Sequence, residues 1–233
     1  MSRLTGVLPF PGAPRAGDRR RWTVAGLILV VIVFLVIDPQ WTVQNIQPPG
    51  AGSTVAASAN LDPTDYVNKY WASRILPTVK RSAVDLPTLL SKLKRDPSAT
   101  AKRYGNVATL GGEPTFLAKG TARVLSVNTS GIPTEAALAF DHGHKATADL
   151  QLGPILTGTD VRDAMRFISF NQFADQVTYS EVATAINHKI ATTTLKSIDD
   201  AKLAGSTVTF SGAFTVTPGQ PPLITPVTLE VHR

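Results

Sequence analysis

The chain has 233 residues, no cysteine and a formal charge of +6. Without cysteine there are no disulfides, thiolate metal sites, catalytic thiols or lipid-modified cysteine. Residues 1–38 hold five arginines against Asp18 and Asp38, so half of the net charge sits there, and the high pI is weak support for nucleic-acid binding by the remainder.

Residues 1–21 form a basic segment ending in Arg19-Arg20-Arg21. Trp22–Ile37 then runs for sixteen residues without a charge, twelve of them Val, Leu, Ile or Phe. At the centre of a bilayer those twelve favour insertion by roughly 4–7 kcal/mol. Trp22 and Trp41 lie a helical distance of roughly 30 Å apart, the hydrocarbon thickness, with an indole near each interface. Residues 22–38 are therefore read as a transmembrane anchor. Arg15 and the arginine triplet precede it, and the next basic residue is Lys69, which puts the N-terminus in the cytoplasm and the bulk of the chain outside. A cleaved signal peptide is the alternative, but Asp38-Pro39-Gln40-Trp41 lacks the small residues a cleavage site needs, and Ala57-Ser58-Ala59 lies too far away. Trp22-Thr23-Val24 after the arginines fits a twin-arginine export signal poorly.

Residues 39–61 read as a flexible linker. The stretch is uncharged as far as Asn60 and rich in Pro, Gly, Ala, Ser and Gln, with a root-mean-square reach of about 25 Å. Helix signals begin at Asp62, a capping residue followed by Pro63 at the first helical position and Asp65 in the first turn. Val67, Tyr70, Trp71 and Ile75 form an apolar stripe that should end near Pro77. A second helix opens at Asp85 with Leu86, Leu89, Leu90 and Leu93 on one face, and Asp96-Pro97 starts a short third that Gly105 can close. From Val107 the period changes to two. Phe116–Val127, Glu135–Phe140 and Ala146–Leu152 alternate as strands, and Ser206–Thr217 and Ile224–Val231 repeat the pattern. Between the groups lies a helical stretch in which Thr178-x-x-Glu181 can form a capping box, with Tyr179, Val182, Ala183, Ile186 and Ile190 on one face.

These elements predict an α+β fold: an N-terminal transmembrane helix, a small helical subdomain over 62–105, and a five-stranded OB-like β-barrel over 106–233 with a helical insertion at about 159–203. A curved open sheet is the alternative.

The run Leu152-Gly153-Pro154-Ile155-Leu156-Thr157-Gly158-Thr159-Asp160-Val161-Arg162-Asp163-Ala164, continuing through Phe167, Phe170, Phe173, Gln176-Val177, Tyr179 and Ala183 to Asn187, resembles the DUF2291 family of predicted periplasmic lipoproteins. The likeness extends over residues 62–233, including Tyr66-Val67, Trp71 and Ile224-Thr225-Pro226-Val227. It implies a helical part joined to an OB-like barrel outside the inner membrane, in a family whose members often accompany ABC importers for ribose-like sugars. Two departures stand out. The family's usual attachment is a lipidated cysteine, whereas this chain offers Trp22–Ile37; and Asp175 precedes Gln176 where the pattern has Asn.

Several residues are candidates for a polar site. Thr157 and Thr159 sit on a Gly-Pro/Gly-Thr excursion after the third strand, where their hydroxyls and the loop amides can face a ligand, or where the loop is only a turn and Thr159 a helix cap. Neither a Walker lysine nor a GxGxxG run accompanies it. Asp160, Arg162 and Asp163 can hold a sugar through carboxylate acceptors and a guanidinium fork, or can simply be a helix-start cluster, with the acids beside the positive dipole end and Arg162 paired with a carboxylate; Arg162 is the leading residue for a polar site. Phe167, Phe170 and Phe173, spaced by three, are expected as a helix face capping the barrel or as a partner-binding stripe. Asp141, His142 and His144 resemble metal ligands but surround Gly143 in an evident turn, so no metal and no cofactor is expected. No nucleophile elbow accompanies the Ser, His and Asp residues present.

The functional expectation is a non-enzymatic, single-pass protein of the bacterial inner membrane, held there by residues 22–38, with its folded part periplasmic. It would serve a sugar ABC importer by docking the permease or the solute-binding protein, or by holding a small ligand. A tethered carbohydrate-active enzyme is the alternative. Nucleic acid is not an expected partner.

Overall fold

The computed structural model describes residues 61–109, 111–140, 147–217 and 219–232. The expected membrane span, the linker up to Asn60 and the turn bearing Asp141, His142 and His144 lie outside those residues. Among the described residues no helix is long and apolar enough to cross a membrane. The described residues form one compact unit.

Three aspartates start the helices of the N-terminal part. Asp62 accepts from the Asp65 amide at 2.9 Å and opens α1 (Pro63–Tyr70). Asp85 accepts from the Thr88 amide and hydroxyl and opens α3 (Leu86–Arg95), and Asp96 does the same for α4 (Pro97–Tyr104) through the Ala99 amide. Gly105 closes α4 as expected. The first helix does not stop at Pro77. A single π-turn (Trp71–Ile75), in which the Leu76 amide reaches back to the Trp71 carbonyl, restarts the helix as α2 (Leu76–Ser82). Pro77 thus falls in the first turn of a new segment, where its missing N–H is no loss.

Five strands close into a barrel: β3 (Thr115–Asn128), β4 (Thr134–Ala139), β5 (Ala148–Leu152), β6 (Thr207–Thr215) and β7 (Leu223–His232), in the order β3-β4-β5-β7-β6 and back to β3. All contacts are antiparallel except β5 with β7. Closure depends on β3, which pairs with β6 over Thr115–Arg123 and with β4 over Arg123–Asn128. The two-residue strands β1 (Val84–Asp85) and β2 (Gly105–Asn106) join the helical part to β3 at Ala118–Lys119 and Thr115–Phe116. Closure removes free edges and excludes the open-sheet alternative.

Between β5 and β6 the chain forms α5 (Asp160–Asp163), an irregular stretch with a single 3-10 turn (Phe170–Gln172), and α6 (Gln176–Thr193). Helix α6 starts earlier than the Thr178/Glu181 pattern predicts, because Asp175 accepts from the Thr178 amide at 2.7 Å. Tyr179, Val182, Ala183, Ile186 and Ile190 are its buried face, as the spacing requires. The core runs continuously from Ile75, Leu86 and Leu89 of the helices through Phe116, Phe210 and Phe214 of the barrel to Ile186 and Ile190.

Candidate functional site

The residues singled out after β5 do come together, bonded mainly to the protein itself. Arg162 is only 6 % exposed. Its Nε donates to Asp163 Oδ1 at 2.8 Å, Nη2 lies 2.7 Å from the same oxygen, and Nη1 donates to the Tyr179 carbonyl at 3.1 Å. The guanidinium carbon stands 3.8 Å from the Tyr179 ring centroid. Asp163 Oδ2 accepts from the Thr159 hydroxyl, and the Asp163 carbonyl accepts from Asn106 Nδ2. Thr159 therefore holds the far end of α5 instead of capping its start. Asp160 Oδ1 accepts from the Thr215 hydroxyl of β6 at 2.6 Å. Burial, chiefly, raises the Asp160 carboxyl above the usual range; the Thr215 hydrogen bond opposes this and the Asp163 charge adds to it.

A residue the sequence did not single out fixes Thr157. Gln151 on β5 is 1 % exposed. Its Oε1 accepts from the Thr157 amide at 2.9 Å, while Nε2 donates to the Thr157 carbonyl and to Thr225 Oγ1. The only sequence signal is a polar residue between Leu150 and Leu152. Asn187 Nδ2 donates to the Gly158 carbonyl, tying the same loop to α6.

Phe167, Phe170 and Phe173 do not share a helix face, because the chain from Ala164 to Asp175 contains only the 3-10 turn. Phe173 is buried against Tyr66 and Tyr179, with ring centroids 5.3 and 5.5 Å away. Phe167 lies under the Arg74 guanidinium at 4.0 Å, and Phe170 is 42 % exposed. The three rings fasten α1 and α6 to the crossover in three directions. Among the described residues no group of three or more His, Asp or Glu could hold a metal ion.

A concavity of about 880 Å³ lies elsewhere, between α2 and the outer face of the barrel. Strand register builds its floor. Cross-strand rows on β3, β6 and β7 bring together Lys119, Ser211 and Thr228, then Thr121, Thr209 and Glu230, with Gly120 and Phe210 between the rows. The six side chains of these two rows are polar and none is buried. Thr121 and Thr209 hydroxyls are 3.0 Å apart, Ser211 and Thr228 2.6 Å, and Thr209 meets His232 Nε2 at 3.0 Å. The opposing wall is aliphatic, from Leu76, Pro77 and Val79, with Lys80 and Asp85 at its rim. A volume of this size suits a small-molecule site. Because each hydroxyl is both donor and acceptor, the floor can match a ligand carrying several hydroxyls.

Residues 30–230 match the model of a family described as predicted periplasmic lipoprotein (DUF2291). No curated protein matches the chain. Among solved structures, the chain is similar to an OB-fold protein from Thermotoga maritima, at 16 % identity and a TM-score of 0.59, over 74 % of this chain and 99 % of that one. That likeness shows the fold.

Proposed function

The chain belongs to the DUF2291 family of predicted periplasmic lipoproteins, and from that membership we propose that it is a membrane-anchored, non-catalytic accessory of a ribose-type sugar ABC importer. In this reading residues 22–38 hold it in the inner membrane. The folded part then binds a small polyhydroxylated ligand or docks the importer's permease or solute-binding protein. The observation that carries the ligand-holding role is the groove, where two cross-strand rows of polar side chains face an aliphatic wall. The importer link rests on the family resemblance. A carbohydrate-active enzyme would need two carboxylates facing one another about 5–9.5 Å apart across a cleft. Asp160 and Asp163 accept instead from Thr215, Thr159 and Arg162.

Two measurements test the proposal. Mild crosslinking of native membranes, followed by capture of the full chain, should recover importer subunits. Calorimetric titration of the full chain with ribose should give a signal that T209V/S211V abolishes. Recovery of no importer subunit, together with no ribose signal, would overturn the reading.

A further inference from the structure

A second pocket, of about 380 Å³, lies where α2, α4, β3 and the segment after α5 meet. Two arginines line it, Arg103 and Arg166, and no carboxylate does. Arg166 Nη2 donates to the Gly105 carbonyl at 3.1 Å, which fixes its guanidinium two residues along the chain from Arg103. Neither arginine has an acidic partner among the described residues. Thr78, Ser82 and Tyr104 also line the pocket, and their hydroxyls make no hydrogen bond among those residues. Lys102 and Arg103 in the last turn of α4 complement the helix dipole, an ordinary arrangement. The dipole does not account for Arg166 arriving from another element, nor for three idle hydroxyls around the same concavity. Phe167, Leu117 and Ala164 supply an apolar back wall.

We infer that this pocket binds a phosphate-type oxyanion. Guanidinium forks match phosphate oxygens in pairs, the hydroxyls add neutral donors, and the absence of a carboxylate leaves the positive potential uncancelled. The pocket is lined by none of the groove residues, so its occupancy is independent of the proposed sugar role. The motif run has a part in building it: Ala164 is in the wall, and the Asp163 carbonyl holds Asn106, another lining residue.

The test uses the full chain in phosphatidylcholine nanodiscs, titrated by calorimetry with inorganic phosphate and with ribose 5-phosphate. Binding should weaken about tenfold in R103Q, whose side chain is exposed and makes no structural hydrogen bond, and further in R103Q/R166Q, in line with loss of charged hydrogen bonds. Unchanged thermal midpoints without ligand would show that the variants fold. Repeating the titration in phosphatidylglycerol nanodiscs identifies the source. Loss of soluble-phosphate binding there, restored in phosphatidylcholine, assigns the pocket to a lipid headgroup; retention assigns it to a free phosphate ester. No binding in either nanodisc, or binding indifferent to R103Q/R166Q, would overturn the inference.

Discussion

The Arg162 guanidinium lies 3.8 Å from the centroid of the Tyr179 ring and donates to that residue's own carbonyl at 3.1 Å. One side chain thereby ties α5 to the first turn of α6, and Asp163 satisfies its remaining charge. Arg162 is 6 % exposed and its partner's side chain 18 %, so removing one member leaves a poorly solvated charge. Truncation of such a pair destabilises by about 3–5 kcal/mol. R162A should lose stability in that range by denaturant unfolding. R162K, which keeps the charge but not the fork or the flat stacking surface, should recover only part of it. A loss below about 1 kcal/mol in R162A would mean the contact is an ordinary surface pair.

Asp160 makes a pH prediction. Burial, foremost, raises its carboxyl in the folded state, so the native protein binds this proton more tightly than the unfolded chain does. In the interval between the unfolded and folded values the native state holds more protons, and stability falls as pH rises. D160N keeps an acceptor for Thr215 and carries no charge. It should flatten that slope and be at least as stable as the parent at neutral pH. Unfolding free energies of the two proteins across the acidic range decide the matter, and parallel curves would refute it.

Gln151 acts as a backbone partner for Thr157, replacing the strand neighbour that the chain loses after Gly153. Q151M preserves length but withdraws one acceptor and two bonds from Nε2. The expected loss is about 1–3 kcal/mol, with faster hydrogen exchange at the Thr157 amide than elsewhere in the barrel. Exchange unchanged at Thr157 would show that water substitutes for the glutamine.

Local chemistry made much of this fold readable. Asp62, Asp85 and Asp96 each precede a proline-bearing helix start, and each caps as such residues do. The five-strand alternation survives because each inward residue meets the same core. What failed was decided at a distance. Pro77 reads as a stop, and nothing nearby reveals that a π-turn at Trp71–Ile75 carries the helix through it. The three phenylalanines have helical spacing, yet their rings follow Arg74, Tyr66 and Tyr179 on other elements. Gln151 finds Thr225 across 74 positions. Asp175 is a local miss: it caps α6, as the Asn of the family pattern also would. At the candidate site the sequence identified the cluster and the pairing of Arg162 with a carboxylate; the contacts to Thr215 and Tyr179 were out of its reach, because they depend on β6 and α6 arriving beside it.

Barrel closure gives the last prediction. At the register shift between Ser211 and Gly212, β6 crosses β7 so closely that a Cβ on Gly212 would collide with the Thr225 carbonyl and press on Pro226. Both obstacles are backbone, so neither can turn aside. Gly120 on β3 is also tight, but the nearest atom there is Cε1 of Phe140, a half-buried ring. Overpacking that a side chain can relieve costs about 1–3 kcal/mol; displacing a paired strand costs more, since the β6–β7 ladder must open. G212A should therefore unfold at markedly lower denaturant than G120A, with the largest loss of exchange protection along Leu223–His232. Equal midpoints for the two variants would mean that β7 can shift without breaking the barrel.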